Sequence, residues 1–576
     1  MASSFSSYYV ARSGIQAAQY NLRITGQNMS NVNTTGYTRQ RLDAYAVGSS
    51  GNNMRYANPS DMAIGGGVEA KGVSQLRDPY LDVRYRMESG KVGKSGTEAN
   101  TLSSLESIFD EIKNNGINNQ ITDLIKQLNT LANSPADSNL ETIVKNSALL
   151  LTQAFHNAAT QLADVRKQET DSFLSAGIGQ ANSILESIAQ LNREIKSCDI
   201  SQVPALELRD QRNALLDQLS QQFNIQVSTT SVSIGAGRTV EEMQVNLVNG
   251  NNSIPLINND KFVQFEAAQN QDTIQYTAAD STGAEHVYAK KDLNVSVYIR
   301  GFGGEMINNS DGTHKVFNDS FGTGIFSGYL TMLNDSGEFD AMASGKMDVT
   351  VGGSTETIAT GALSTTSRGI GYYEKIMDQM AQTLADTMNK ANATTTTVEG
   401  GGSVAVDKPL FASSDYNPND PASSPKITAS NISISKEWDK AVGNYITASK
   451  EETLEGVDNS SSGKNILYMV LQFSKEQTFE TDKGISLFTS SLNSFVSKVS
   501  TTLGLDIKTT LNQNETYVSN LTGIDTQRAS ISSVDLNEEG INLIMYNQAL
   551  TASSRFMTTM DEALDTIINR MGIVGR

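Results

Sequence analysis

Residues 534–571 read VDLNEEGINLIMYNQALTASSRFMTTMDEALDTIINRM, and their spacing decides how the chain ends. Leu543, Tyr546, Leu550, Ser553, Met557, Met560, Leu564, Ile567 and Met571 recur at three- and four-residue steps, which predicts one amphipathic helix with a coiled-coil-like seam. Asp535 stands at the N-cap position and Glu538 follows at capping-box spacing, with Val534 placed to staple across the cap. Residues 1–36 give a second such helix. Tyr8, Ala11, Ile15, Ala18, Leu22, Thr25, Met29 and Val32 line one stripe, opposite Arg12, Gln16, Gln19 and Arg23. The run fades at Asn31, Asn33 and Gly36, a turn composition in which the glycine can take a left-handed conformation. A helix with a thin apolar seam is marginal alone. The two ends are expected to pair with each other and then with neighbouring subunits, or else to dock on the body; periodicity leaves both open.

Working inward, helical spacing dominates the first third. Leu102, Leu105, Ile108, Phe109 and Ile112 mark one helix, and Ile121, Leu124, Ile125, Leu128 and Leu131 the next. A long one is expected from Leu140 toward Phe173, another over 184–195, and one opened by Pro204 and continued by Leu206, Leu215, Leu216 and Leu219. At Phe223 the period falls to two. Phe223, Ile225 and Val227, then Met243, Val245 and Leu247, then Leu293, Val295, Val297 and Ile299 predict strands, with Asn249-Gly250 as a hairpin turn. Met347, Val349 and Val351 precede Gly352-Gly353 in a smaller strand-rich insert. Helical spacing returns over 372–388, a polar loop is expected over 393–427, and Ile432 and Ile434 lead to the single Trp438, a packing anchor. Helices are then expected over 466–473, 487–499 and from 511 to the end.

The fold class expected is multi-domain α+β: an elongated subunit with coiled-coil-like terminal helices, a long-helix bundle and β-rich inserted outer domains. The divisions are an N-terminal assembly segment at 1–60, a helical bundle at 61–222, a β-rich outer domain at 223–334 and a small strand-rich insert at 335–370. A return helix, polar loop and outer β segment follow at 371–462, the second half of the bundle at 463–530 and the C-terminal assembly helix at 531–576.

Composition narrows the function. Of 576 residues, 38% are apolar and 19% charged, with only 9 prolines, so the chain supports several cores and is not a disordered linker. Lys plus Arg is 44 against 63 Asp plus Glu, a formal charge of −19 that repels phosphate backbones and argues against nucleic acid. No run of 18 apolar residues is present, so no spanning helix or membrane insertion is expected, and residues 1–16 lack the pattern of a conventional signal peptide. The single Cys198 cannot form an intramolecular disulfide. His156, His286 and His314 stand without a second ligand at metal-site spacing. The glycines at 65–67 and 301–304 lack the Lys-Ser/Thr ending of a phosphate loop and read as turns. Glu538 and Glu539 read as a helix start, not as an acid–base pair. No catalytic residues, metal or cofactor are expected.

The two ends also carry a family resemblance. Residues 13–41, SGIQAAQYNLRITGQNMSNVNTTGYTRQR, closely resemble the N-terminal signature of the bacterial flagellar axial proteins, the rod, hook and hook-associated proteins. The likeness rests on Asn28, Asn31, Asn33, Thr34, Gly36 and Tyr37, followed by Arg39, Gln40 and Arg41. The Asn-Thr-x-Gly-Tyr part is shared across the family, and the added Thr-Arg-Gln-Arg is similar to its hook-associated branch. The C-terminal run agrees at Val534, Asp535, Leu536, Glu538, Glu539, Leu543, Tyr546, Gln548, Ala549, Ala552, Ser553 and Asp561. It departs at Gly540, which weakens the first turn. Residues 204–223 are similar to the family at a domain boundary.

The resemblance implies a structural subunit of the flagellum, exported by the flagellar type III apparatus and built into the junction between hook and filament. It implies a ring of about eleven copies closed by repeating contacts. It also implies hook protein below, hook-associated protein 3 above, and an export chaperone that binds the C-terminal region. The terminal helices would order only on assembly. A hook or other rod-type subunit remains an alternative, as does, from another class, a secreted adhesin-like structural protein.

Overall fold

The structure is a computed structural model that describes residues 2–47, 66–235, 238–270, 273–279, 285–291, 293–334, 346–351, 354–359, 368–398, 402–406, 408–415, 426–449, 462–480 and 486–566. The expected seam positions Ile567 and Met571 lie outside these residues, as does Gly352-Gly353. The chain forms two compact units. One comprises Met1–Ser89, Ser183–Phe262 and Tyr517–Arg576, and the other Gly90–Asn182 and Val263–Thr516.

In chain order, α1 (Ala2–Ser30) leads into β1 (Gln40–Ala46) and β2 (Val68–Gln75), which pair antiparallel. Helices α2 (Pro79–Asn115), α3 (Ile117–Asn133) and α4 (Ser138–Asp171) follow, then a π-helical turn at Ser172–Gly177, α5 (Ile178–Ser201) and α6 (Leu206–Gln222). The antiparallel strands β3 (Ile225–Gly235), β4 (Arg238–Asn249), β5 (Asn252–Asn258) and β6 (Lys261–Phe262) make a four-stranded sheet in that order. Within it Asn249 pairs with Asn252 around Gly250, which has φ 57° and so supplies the left-handed residue that a tight hairpin demands. Next come β7 (Gln264–Gln269), β8 (Thr273–Ala279), β9 (Glu285–Lys291) and β10 (Val295–Arg300), where β7 pairs with β10 and β8 with β9. Helix α7 (Ile325–Asn334), the hairpin β11 (Lys346–Val351)/β12 (Ser354–Ala359) and α8 (Ile370–Asn392) follow. The remainder is β13 (Thr394–Val398) paired with β14 (Gly402–Val406), β15 (Phe411–Ser413) paired with β16 (Ile432–Ile434), α9 (Lys436–Lys440), α10 (Lys464–Ser474), β17 (Glu476–Glu480) paired with β18 (Ser486–Ser491), α11 (Phe495–Ser532) and α12 (Leu536–Asp565). The described residues are thus mainly helical with small antiparallel sheets, an α+β chain.

The cores follow the two periods. In the first unit, Leu216, Leu219 and Phe223 at the end of α6 are buried, as are Met243, Val245 and Leu247 on one face of β4. In the second, Ile117, Ile121, Leu124, Leu128 and Leu131 bury one stripe of α3, and Tyr373, Ile376, Met380 and Leu384 one stripe of α8. Arg166 of α4 is buried there. It donates to both carboxylate oxygens of Glu374 at 2.8 and 2.9 Å and to the Leu333 carbonyl at 2.7 Å, a bidentate arrangement that satisfies its charge. Trp438 is fully buried behind the Ser435 cap of α9 and packs edge-on against Phe411.

Four expectations need correction. Pro204 stands two residues ahead of α6 instead of inside its first turn. Residues 487–491 form a strand, because Phe479 and Phe488 pair across a hairpin and Phe479 buries against Phe495. The polar stretch 393–427 contains the β13/β14 hairpin and β15, since threonine-rich runs favour extended backbone even without an apolar alternation. Strands β1 and β2, within the divisions expected as an N-terminal assembly segment and a helical bundle, close a hairpin with a register shift at Asp43/Ala44.

Candidate functional site

Helix α1 packs lengthwise on α12. A Cβ on Gly14 would come within 2.9 Å of Ser553 Oγ, while Arg39, beyond the end of α1, meets Glu538 and Glu539 at the start of α12. The pair is therefore antiparallel. Small residues allow the close approach: Ala11, Ala18 and Thr25 are buried along α1, with Ile15, Leu22 and Met29 half-buried beside them. On α12 the inward stripe is Tyr546, Leu550, Ser553, Met557, Met560 and Leu564, all half-buried.

Three expected seam residues fall elsewhere. Tyr8 is 37% exposed, and Val32 lies past the end of α1 in the turn. Leu543 is 39% exposed, because the inward stripe passes through Asn542 and Glu539, four and seven residues before Tyr546.

The turn after α1 is tied to four other elements. Asn28 is fully buried. Its Nδ2 donates to the Gln40 carbonyl at 3.0 Å, and its Oδ1 accepts from the Gln40 amide at 3.0 Å and the Tyr37 hydroxyl at 2.9 Å. One amide side chain thus closes the loop from α1 onto β1. Gly36 has φ 80°, a conformation that favours glycine. Asn31 Nδ2 donates to the Gln27 carbonyl and its Oδ1 accepts from Thr34 Oγ1 at 3.2 Å, while Asn33 is exposed. Thr38 donates its amide and hydroxyl to the two oxygens of Asp210 on α6, at 3.0 and 2.6 Å. Gln40 Nε2 donates to Glu207, also on α6, at 3.2 Å. Arg39 donates to Glu539 at 2.7 Å and to Glu538 at 2.9 Å, and its amide donates to the Ser532 carbonyl. Arg41 is solvent-exposed, 3.6 Å from Asp43. Asp535 caps α12 by accepting from the amides of Asn537 and Glu538 at 2.7 and 3.4 Å, and the Glu538 side chain is committed to Arg39.

Electrostatics follow from this crowding. Burial pushes the Tyr37 phenol far up, and the nearby carboxylates Glu207, Asp210 and Glu539 add to the effect. Burial also raises the Asp210 carboxyl, outweighing its hydrogen bonds from Thr38. For Arg39, burial works against the charge, but the bonds to Glu538 and Glu539 prevail and the guanidinium is held above its usual value. Two predictions arise. Asn28→Ala strands the Gln40 amide and carbonyl in a buried site and is expected to lower stability by about 2 kcal/mol, read from chemical unfolding. Because the folded Asp210 pKa is raised, its contribution is full below the unfolded carboxylate range and lost as pH rises through the folded value. The advantage of the native chain over Asp210→Asn is therefore largest in mild acid and shrinks toward neutrality, measured by unfolding at several pH values.

A second set of partners carried little sequence signal. Arg77 binds Asp82 at 2.9 Å and Arg86 binds Asp217 at 2.8 Å. Arg528 binds Asp217 at 2.7 Å and lies over the Tyr85 ring at 4.2 Å. These charges join the first turns of α2 and the second half of α6 to the end of α11. The one readable hint is Asp210 and Asp217 at seven-residue spacing on a single face of α6. A cleft of 660 Å³ beside the turn is lined by Asn31, Thr34, Tyr37, Glu207, Asp210 and Leu215, among others, a set with no nucleophile–base pair. Among the described residues no group of three or more His, Cys, Asp and Glu is placed to hold a metal, and no helix is long and apolar enough to cross a membrane.

The fold and the paired ends describe a mainly helical α+β protein whose terminal helices pack on one another. The flagellar hook-associated protein FlgK helical domain matches residues 102–293. Over full length the chain is 25% identical to flagellar hook-associated protein 1 of Bacillus subtilis, covering 100% of both chains. It is 24% identical to flagellar hook-associated protein 1 of Escherichia coli, over 97% of this chain and 98% of that one. The solved flagellar hook junction protein of Burkholderia pseudomallei overlaps 57% of this chain and 46% of its own at 18% identity and a TM-score of 0.38. The likeness read at the two ends thus runs the length of the chain: it resembles flagellar hook-associated protein 1.

Proposed function

We propose that this chain is a non-catalytic structural subunit of the bacterial flagellum, set at the junction between hook and filament and assembled through α1 and α12. The observation that carries the reading is the antiparallel terminal pair, tied by Arg39 and Glu539, in a chain similar end to end to proteins named flagellar hook-associated protein 1. Copies of the chain form a ring of about eleven, a closed set of repeating contacts. Hook protein lies on one side and hook-associated protein 3 on the other, and the subunit is secreted through the flagellar type III export apparatus with an export chaperone on its C-terminal region. The filament does not assemble without it. Electron microscopy of cells lacking the chain tests this. Hooks without filaments, with monomeric flagellin in the medium and recovery on re-expression, are the expected result; normal filaments on such cells would refute it.

A further inference from the structure

Strand β3 is an outer edge of the four-stranded sheet, and among the described residues it pairs with β4 alone. Its residues 225–235 read IQVSTTSVSIG, without a charge or a proline and rich in β-branched side chains. Residues 228–235 are all exposed, Val232 and Ile234 among them. The ladder fixes which backbone groups are left over. The Val248 amide donates to the Asn224 carbonyl at 3.1 Å, and from there the register alternates without a break to Ser233. Even-numbered residues of β3 therefore bond to β4, while Val227, Thr229, Ser231 and Ser233 turn their amides and carbonyls away from the sheet.

A bare edge is a template for another strand, and proteins usually blunt it with charge, proline, a bulge or a covering element. The opposite edge of this sheet is treated so: β5 carries Pro255 and is covered by β6 at Ile257 and Asn258. On β3 the irregularity in register falls between Ser233 and Gly235, beyond the last of the outward-turned residues. The lack of charge also says what fits. The chain carries a formal charge of −19, so two copies repel over most of their surface. Along 225–235 they meet with no like charges opposite each other.

We propose that β3 pairs edge to edge with β3 of a second copy of this chain, antiparallel about a two-fold axis at Thr230. In that register Val227 stands opposite Ser233 and Thr229 opposite Ser231, each pair exchanging both backbone hydrogen bonds. The amides and carbonyls of all the outward-turned residues then find partners in both copies. A slip by one residue would set outward groups against inward ones and lose every bond, so the register can shift only in steps of two. Thr230 meets its own counterpart in a close, non-hydrogen-bonded pair, and the exposed Val232 lies across from Ser228 of the second copy. Such a contact uses the same surface on both copies and closes at the dimer, so it does not run round a ring. The pairing belongs to the unassembled chain and does not rest on the junction reading.

Sedimentation of the purified full-length chain over rising concentration, with Cys198→Ser as the parent, tests the pairing. A reversible dimer is expected. Thr230→Lys, at an exposed position, sets two ammonium groups opposite each other at the axis and should weaken the dimer about tenfold or more, with an unchanged circular dichroism spectrum. Thr230→Cys in the Cys198→Ser chain should give a disulfide-linked dimer under mild oxidation, since the Cα atoms of such a pair stand about 4.5 Å apart. Thr239→Cys, also exposed but on β4, should not. Monomer at every concentration overturns the proposal, and so does equal linking of the two cysteine variants. A dimer or larger species that Thr230→Lys leaves intact overturns it too, because that species forms through another surface. If Thr230→Lys does not fold, the two cysteine variants decide alone.

Discussion

Removal of residues 541–576 leaves a chain whose body folds and whose copies no longer assemble. The truncation takes away Ser553, the residue against which Gly14 packs, and the whole inward stripe from Tyr546 to Leu564. What remains opposite α1 is the hairpin of β1 and β2, where Ser13 Oγ accepts from the Val68 amide at 3.2 Å. That contact and the clasp of Asn28 on Gln40 each hold about one turn of a 29-residue helix. The exposed remainder has alanines and a threonine at its buried positions, too little apolar area to keep it helical alone. Hydrogen exchange over 2–30 is expected to rise to near-unprotected rates, while α3, α4 and α8, which belong to the other compact unit, keep native protection. In cells the truncated chain should yield hooks without filaments. Wild-type protection over 2–30, or filaments of normal number, would show that the seam is dispensable.

Arg39→Ala is expected to cost about 3 kcal/mol, chiefly through the charge it leaves behind. Glu539 is only 2% exposed and its carboxylate lies 2.7 Å from Arg39 Nε, so without the guanidinium a buried charge loses its partner. The bond to Glu538 adds little, because that side chain is 57% exposed and water replaces the contact. The double variant Arg39→Ala with Glu539→Ala should recover most of the loss, since it removes both charges together. Chemical unfolding of the four members of the cycle reads the coupling directly. Additive losses would mean that the two side chains do not act on each other. The pair also joins the strand after α1 to the first turn of α12, so helix order at both ends should fall in the single variants and return in the double.

Much of the architecture was legible because it is local. The heptad steps of 543–564 and 8–29 gave two terminal helices, the fall from a period near 3.6 to one of two at Phe223 gave the start of the sheet, and Asn249-Gly250 gave its hairpin. Where local composition is ambiguous the reading failed. Thr394–Val398 is polar yet extended, and 487–491 has helix-like spacing yet pairs as a strand. Leu543 fits a heptad on paper but faces solvent, because a helix of 3.6 residues per turn puts Asn542 in line with Tyr546 as well, and the partner helix chooses between them.

The motif residues divide the same way. Sequence alone determined that the first helix ends in a turn over Asn31 to Gly36 whose glycine can take positive φ, and that the chain resembles the flagellar axial proteins at both ends. Only the tertiary structure decided what those residues hold. Asn28 clasps Gln40, Thr38 is bound by Asp210, and Arg39 meets a glutamate 500 positions away. Periodicity reports the face a helix buries, because that follows from the geometry of one element. It carries no information about which distant carboxylate reaches a given guanidinium, because that depends on the packing of elements the chain brings together only when folded.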